Sequence, residues 1–171
     1  MQGTGGGVAR VIGTVQDITE RKAAEQALSD YRNTLEATMR LDPLTGIANR
    51  RALDEQVAEH WQRAMRSHRA VSLRMVDVDH FKHYNDHDGH VEGDACLQRV
   101  AYALAGVVSR PDDLVARYGG EEFAVLLPDT DALQAGALAQ KLCAAVRSLG
   151  IPHARSDTDS CVTVSVGVAC A

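Results

Sequence analysis

Four acidic residues in this sequence flank two predicted strands, where they could bind a metal ion. Asp77 and Asp79 end an apolar, branched segment that begins at Val71, and Glu121 and Glu122 occupy a glycine-containing turn further along the chain. Carboxylate ligands without histidine or cysteine suit Mg²⁺ or Mn²⁺, which bridge a few carboxylates to substrate phosphates. These acids therefore predict a nucleotide site, although aspartates that cap a segment and solvated turn glutamates produce the same pattern.

The segments around these acids predict strands that could bring them together. Residues 71–79 alternate as a strand, and one of its faces carries Val71, Leu73, Met75, Asp77 and Asp79. Residues 114–118 and 123–127 form two short strands whose connection, Gly119–Glu122, requires glycine backbone angles, which predicts a β-hairpin. A last strand is expected over residues 162–168.

Helical spacing of apolar residues predicts three further helices, over residues 51–67, 93–109 and 131–149. The last of these follows an aspartate cap at Asp131. Because the hairpin forces antiparallel pairing, we expect an α+β fold with a central, mostly antiparallel sheet flanked by helices, and not a doubly wound sheet.

The first forty residues are predicted to form a strand and then a helix. Residues 8–16 are rich in β-branched side chains, and Asp17–Glu20 has the form of a capping box that opens a helix running to about Arg40. An apolar stripe follows spacings of four and three residues along this helix, at Ala24, Leu28, Tyr31 and Leu35. The stripe fits the seam of a two-stranded coiled coil, and it equally fits one amphipathic helix lying on its own domain.

Composition argues against several classes of function. The chain has 171 residues with a formal net charge of -5, so we expect no nucleic-acid partner, because such binding depends on clustered positive charge. No apolar run approaches the roughly 20 residues that cross a bilayer, so we expect no membrane insertion. The four cysteines are widely spaced without a C-x-x-C pair, which predicts buried thiols of a cytoplasmic protein.

A series of motifs, in order along the chain, resembles the GGDEF family of diguanylate cyclases. They are DPLTG at 42–46 with Asn49-Arg50, VDVDHFKHYN at 76–85, Gly89-His90, Gly93-Asp94, and GGEEF at 119–123 preceded by Arg117-Tyr118. So many ordered matches are more specific than a lone glycine motif. The resemblance implies a fold like the nucleotidyl cyclase and polymerase palm. It also implies a homodimer of half-sites that condenses two GTP into cyclic di-GMP and two pyrophosphates.

The resemblance also implies which residues perform this reaction. Asp77, the backbone carbonyl of Val78 and Glu121 resemble ligands of Mg²⁺ or Mn²⁺. Glu122 is similar to a residue that helps to deprotonate the attacking 3′-hydroxyl or holds a second metal. Asp79 is as well explained by a structural cap as by a metal ligand.

Further matched positions imply how nucleotides are bound. Asn85 and Asp94 resemble the residues that read guanine, since a carboxylate accepts from its N1 and N2 donors. Lys82, with backbone amides near His80 and Phe81, matches a phosphate-binding stretch. The pair Arg110 and Asp113, at a fixed offset before GGEEF, resembles the family's inhibitory site for the product cyclic di-GMP.

The resemblance divides the chain into three segments. Residues 1–16 resemble the closing strand of a PAS domain, which implies a PAS sensor upstream in the parent protein. Residues 17–40 are expected to be a signalling linker helix, and residues 41–171 a GGDEF domain without the family's C-terminal helix and strand. We expect a cytoplasmic location, also where the parent protein is tethered to a membrane upstream.

Two other functions stay open from the sequence. One is a non-catalytic receptor domain that binds cyclic di-GMP or GTP and signals to a partner. The other is a related nucleotidyl cyclase with a different substrate preference.

Overall fold

The computed structural model describes residues 17–38 and 40–171. The chain divides into two units, residues 1–39 and residues 40–171. Helix α1, Thr19–Thr38, belongs to the first unit, and its start is marked by Asp17, whose Oδ1 accepts a hydrogen bond from the Thr19 amide at 2.9 Å. The strand predicted over residues 8–16 lies outside the described residues. None of the described helices is long and apolar enough to cross a membrane.

The described part of the second unit contains one five-stranded sheet. The strands are β1 Ala48–Asn49, β2 Val71–Val78, β3 Leu114–Gly119, β4 Glu122–Pro128 and β5 Val164–Cys170. Their order across the sheet is β1-β3-β4-β2-β5. Strand β1 runs parallel to β3, and the other neighbouring pairs are antiparallel. The predicted α+β fold with a mostly antiparallel sheet is confirmed.

Helices cover both faces of this sheet. They are α2 Arg50–Ser67, α3 Phe81–Asp88, α4 His90–Val107 and α5 Ala132–Arg147. Helix α2 packs on one face in a small cluster with Ala116, Ala124 and Leu126. A larger cluster on the other face joins α4 and α5 to β-strand residues such as Val76 and Val125.

Strand β2 is buried on both faces. Val71, Leu73 and Met75 belong to the cluster that includes α2 residues, as the alternation predicted, and the exposed Asp77 follows them. The opposite face is buried as well, including the polar Arg74. Alternation alone did not indicate this second buried face, because it follows from the packing of α4 and α5.

Helix α3 was not predicted, and α4 begins at His90, three residues before its expected start. Among the eight residues of α3, only Phe81 and Tyr84 are buried, so the apolar pattern is too sparse to indicate a helix. The prediction of buried thiols holds for Cys96, whereas Cys170 is exposed.

Candidate active site

Asp77 at the end of β2 lies directly opposite Glu122 at the start of β4. Val71 and Ala171 exchange both backbone hydrogen bonds, so the odd-numbered residues of β2 bond towards β5. Asp77 and Glu122 therefore form a non-hydrogen-bonded pair, in which side chains on the same face approach most closely. Both side chains therefore lie on the same face of the sheet, and both residues are exposed at this end.

The acids at this end repel one another. Partial burial raises the pKa of Asp77, and the negative charges of Glu121, Glu122 and Asp79 raise it further. The four acids singled out from the sequence therefore lie close enough together for their charges to interact. A cation placed among them would relieve the repulsion.

The oxygen atoms at this end of the sheet fit a metal ion whose coordination shell is completed by substrate oxygens. In the described residues, no three acidic, histidine or cysteine side chains converge into a metal site by themselves. The alternation along β2 directs the Val78 carbonyl towards the hairpin tip, because the ladder with β4 ends at Asp77 and Glu122. The Asp77 carboxylate, the Val78 carbonyl and a glutamate of the hairpin tip suit Mg²⁺, which takes one or two carboxylates together with phosphate oxygens and water.

Asp79 has a different environment from Asp77. Its Oδ2 accepts a hydrogen bond from Thr163 Oγ1 and its Oδ1 accepts one from Ser165 Oγ, both at 2.6 Å. Its amide donates to the Thr163 carbonyl oxygen at 3.0 Å. These bonds favour the structural role for Asp79, because both carboxylate oxygens are already engaged by β5 and the residue before it.

Arg117 stabilises the hairpin tip through side-chain hydrogen bonds. The Arg117 Nε donates to the Gly120 carbonyl oxygen at 2.9 Å, and Nη1 donates to Asp42 at 3.2 Å. Gly120 has a positive φ of 56°, a conformation that favours glycine. These contacts fix the turn that carries Glu121.

The turn between β2 and α3 presents backbone amides. His80 precedes α3 with a left-handed φ of 55°, and its side chain does not cap the helix. The Phe81 side chain is buried in the core, so only its backbone can face a ligand, whereas Lys82 is exposed. An uncapped helix N-terminus is suited to bind phosphate.

Asn85 and Asp94 lie where helices α3 and α4 pack closely against each other. Asn85 on α3 packs against Gly93 on α4, and the exposed Asp94 follows directly. The Asn85 Oδ1 is buried and has no hydrogen-bond partner among the described residues. Because this oxygen is buried against Gly93, the position of the Asn85 side chain is fixed by the crossing of α3 and α4.

Arg110 and Asp113 line a separate cavity of about 340 Å³. The Arg110 amide donates to Asp113 Oδ2 at 3.3 Å, and Arg110 Nη1 donates to Thr130 Oγ1 at 3.2 Å. Lys141 on α5 lines the same cavity. Arg110 is exposed and Asp113 is partly buried, so the pair lies at an exposed turn that borders this cavity.

Sequence reasoning missed several residues that support these sites. It gave no role to Arg117, Lys141 or Gly93, or to His153, whose Nε2 lies 3.2 Å from the His80 carbonyl oxygen. Arg117 and Asp42 are 75 positions apart, so no local pattern links them. Gly93 was visible as part of a motif, but its packing against Asn85 was not.

The five-stranded sheet with helices on both faces matches the fold of solved GGDEF cyclase domains. Residues 39–171 match the family described as diguanylate cyclase, GGDEF domain. The chain belongs to this family.

Individual relatives agree with this assignment. The diguanylate cyclase DgcP of Pseudomonas aeruginosa is 38% identical over 163 residues, which cover 92% of this chain and 24% of DgcP. The crystal structure of the coiled coil and GGDEF domain of DgcB from Caulobacter crescentus, in complex with c-di-GMP, has a TM-score of 0.70 and 30% identity, covering 91% of this chain and 84% of that one. The cyclic di-GMP phosphodiesterase NbdA of Pseudomonas aeruginosa is 35% identical, over 79% of this chain and 17% of NbdA.

Proposed function

We propose that this chain is a diguanylate cyclase domain that condenses two GTP into cyclic di-GMP and two pyrophosphates. The proposal is carried by the opposition of Asp77 and Glu122 at the sheet end from which the chain enters α3. Family membership and the likeness to DgcP support the same activity.

The proposed organisation places a cyclase domain at residues 41–171 behind a signalling helix at residues 17–40. Each domain would hold one GTP, so two copies must face each other to form product. The segment at residues 1–16 would connect the helix to a PAS sensor in a cytoplasmic parent protein. Because reaction requires two correctly oriented half-sites, the geometry of the dimer would control turnover.

In the proposed reaction, the 3′-hydroxyl of each GTP attacks the α-phosphate of the other, so that two phosphodiester bonds form and two pyrophosphates leave. Mg²⁺ or Mn²⁺ held by Asp77, the Val78 carbonyl and Glu121 would supply positive charge next to the phosphates. The Glu122 carboxylate would accept the proton of the hydroxyl as a general base or hold a second metal ion.

Nucleotide binding is assigned to α3, the turn before it and α4. The amides that follow His80, at Phe81 and Lys82, and the Lys82 ammonium group would bind phosphate oxygens. Asn85 and Asp94 would hydrogen-bond the guanine edge. Adenine lacks the N1 and N2 donors that Asp94 needs, so ATP would leave a carboxylate unpaired.

Product analysis tests this proposal. The purified chain, extended through the C-terminal helix and strand of the family, is incubated with GTP and Mg²⁺, and we expect cyclic di-GMP and pyrophosphate from the wild type but not from Glu122→Ala. Glu59→Ala is the matched control, because Glu59 is an exposed partner of Arg63 on α2 and lies outside the site. Bound GTP without any product in the wild type would exclude the cyclase.

A second candidate function is a non-catalytic receptor for cyclic di-GMP, which the cavity at Arg110 and Asp113 favours. Proteins of another activity, such as the phosphodiesterase NbdA, also resemble this chain. For a receptor, Arg110→Ala should abolish binding of cyclic di-GMP and the cellular response, whereas Glu122→Ala should change neither.

A further inference from the structure

Arg74 is a buried charge that the proposed reaction does not use. Its side chain on β2 is 0% exposed, although arginine is rarely fully buried without a partner. Its Nε donates to the Ala135 carbonyl oxygen on α5 at 3.2 Å, whereas Nη1 and Nη2 find no partner in the described part of the chain. A buried guanidinium needs a counter-charge, because burying an unpaired charge is costly.

Asp113 lies on the same face of the sheet as Arg74. Val115, Val125 and Arg74 are direct partners across β3, β4 and β2, so their side chains share one face. Asp113 directly precedes β3 and lines the same cavity as Leu127, which lies two residues after Val125 on that face of β4. The two charged groups therefore belong to adjacent rows beneath α5.

Asp113 has an unused acceptor that matches the unused donors of Arg74. Its Oδ2 accepts from the Arg110 amide, but its Oδ1 is buried without a partner among the described residues. Burial raises the pKa of Asp113, and the Arg110 amide, the Arg110 charge and the Arg74 charge oppose this rise. Burial lowers the pKa of Arg74, and charge on Cys170 or on Asp113 opposes it.

Arg74 also lies close to the walls of the cavity at Arg110. Its bond partner Ala135 stands between cavity-lining residues of α5, Gln134 and Ala137. On the same strand, Ser72 Oγ donates to the carbonyl oxygen of Thr130, another lining residue, at 2.7 Å. Arg74 is therefore packed beneath the cavity and does not open into it.

We propose that Arg74 is a positioning residue of the product site: its buried positive charge keeps the Asp113 carboxylate charged and in place to accept hydrogen bonds from the guanine of cyclic di-GMP. This inference rests on the proposed product site at Arg110 and Asp113. A charged carboxylate only accepts, which matches the N1 and N2 donors of guanine, whereas a protonated carboxyl places a donor there. Arg74 acts through Asp113 and does not touch the ligand.

Other groups contribute to the charge around Asp113. On its own loop these are Arg110 and Asp112, and Lys141 lines the same cavity from α5. The lining residues of α4 and of the segment directly after it, Val107 and Ser109, carry no charge. Cys170 on β5 acts on Arg74, so its replacement belongs among the controls.

Calorimetric titration of the full chain with cyclic di-GMP tests the proposal. Arg74→Met removes the charge at similar volume, so Asp113 should protonate more readily in this variant. We therefore expect the affinity of the variant for cyclic di-GMP to fall roughly tenfold at pH 6 and less at pH 8, where the carboxylate stays charged. Arg74→Lys and Cys170→Ser should keep the affinity within about twofold of the wild type. Unchanged affinity of Arg74→Met at both pH values would overturn the proposal.

The Asp113→Asn background separates this role from a general structural one. Arg74→Met should cause no further loss of affinity there, because the carboxylate on which it acts is absent. An equal loss in both backgrounds would overturn the proposal. Melting curves by circular dichroism show whether each variant is folded, and Arg74→Leu provides a second neutral variant.

Failure of the product site itself is recognised separately. If the wild type does not bind cyclic di-GMP, or Arg110→Ala binds it equally well, the proposed site is wrong. Carbon-13 NMR titration of the Asp113 carboxyl then tests, without any ligand, whether the Arg74 charge affects the protonation of Asp113. A higher Asp113 pKa in Arg74→Met than in the wild type supports it, and equal values overturn it.

Discussion

Arg117 donates from Nη1 to both carboxylate oxygens of Asp42, at 3.2 Å and 3.4 Å. Through Nε it also holds the carbonyl oxygen of Gly120. One side chain thus joins the turn that opens the α+β unit to the hairpin tip that carries Glu121 and Glu122. Both members of the ion pair are largely buried, with 16% of the Arg117 side chain and 15% of the Asp42 side chain exposed.

Asp42→Ala should destabilise the protein and weaken catalysis together. Arg117 would lose its charged partner in a largely buried position, which costs about 1–3 kcal/mol, and the hairpin tip would be held less firmly. Urea unfolding and cyclic di-GMP formation measure the two effects. Asp54→Ala is the control, since its contact with Arg50 is exposed and should be worth less than about 1 kcal/mol. Equal stabilities of the two variants would contradict the prediction.

The stabilisation from Asp42 should disappear in acid. Burial by itself raises the pKa of Asp42, but hydrogen bonds from Thr45 and the Arg117 charge bring it below its usual value. The carboxylate therefore stabilises the fold above the unfolded pKa of about 3.9, and this contribution is lost as the pH falls through the folded pKa. The difference in unfolding free energy between the wild type and Asp42→Asn should shrink between about pH 5 and pH 3. A constant difference would be inconsistent with this assignment.

Asp77→Asn should stabilise the metal-free protein slightly, because it removes one of several mutually repelling acids. The gain should be small, since Asp77 is exposed. Mg²⁺ should raise the melting temperature of the wild type but not of this variant. Asp79→Asn is the control. Its unfolding free energy should fall by about 1–2 kcal/mol with or without Mg²⁺, because the Asp79 carboxylate accepts hydrogen bonds from Thr163 and Ser165. A stabilising effect of Mg²⁺ on Asp77→Asn would refute the metal site.

Sequence alone predicted the hairpin and the strand that places Asp77 beside it, because these depend on local signals. Alternating apolar residues indicate the strands, and glycines mark the tight turn at Gly119 and Gly120. The aspartate cap at Asp131 was equally local, and α5 begins directly after it as expected; the structure adds Gln134, which completes a capping box. Such signals located most of the elements, although α4 begins three residues before its expected start.

The features that could not be predicted depend on packing between distant segments. The two-residue strand β1 becomes visible only through its parallel pairing with Ala116 and Arg117. Arg74 occupies a position that alternation assigns to solvent, and it is buried because α5 covers that face. The pairing of Asp42 with Arg117 has the same origin, since a charge pair far apart in sequence carries no periodic signal.

Leu28→Glu should weaken self-association through α1. Leu28 and Tyr31 are 69% and 65% exposed on this helix, and a paired helix would bury the stripe to which they belong. Light scattering at several concentrations should show the dimer dissociating more readily in the variant, with slower formation of cyclic di-GMP. Asn33→Glu adds the same charge opposite the stripe and should leave association unchanged. Equal association of both variants would assign the dimer to another surface.

Gly93→Ala should weaken guanine recognition without lowering the stability of the protein. A Cβ at Gly93 would lie 1.9 Å from Asn85 Oδ1, so the Asn85 amide must turn away from its position. Alanine is the better helix former by about 1 kcal/mol, which offsets the crowding, so the melting temperature should change little. GTP affinity should fall about tenfold and its preference over ATP should narrow, because one guanine contact is lost.

Gly106→Ala is the matched control on the same helix, because a Cβ there meets no atom within 4 Å. This variant should gain stability through helix propensity alone and bind GTP and ATP as the wild type does. Titration of both variants with GTP and with ATP gives the comparison. If Gly93→Ala and Gly106→Ala bind both nucleotides alike, Asn85 takes no part in reading the base, and guanine selectivity must come from Asp94 alone.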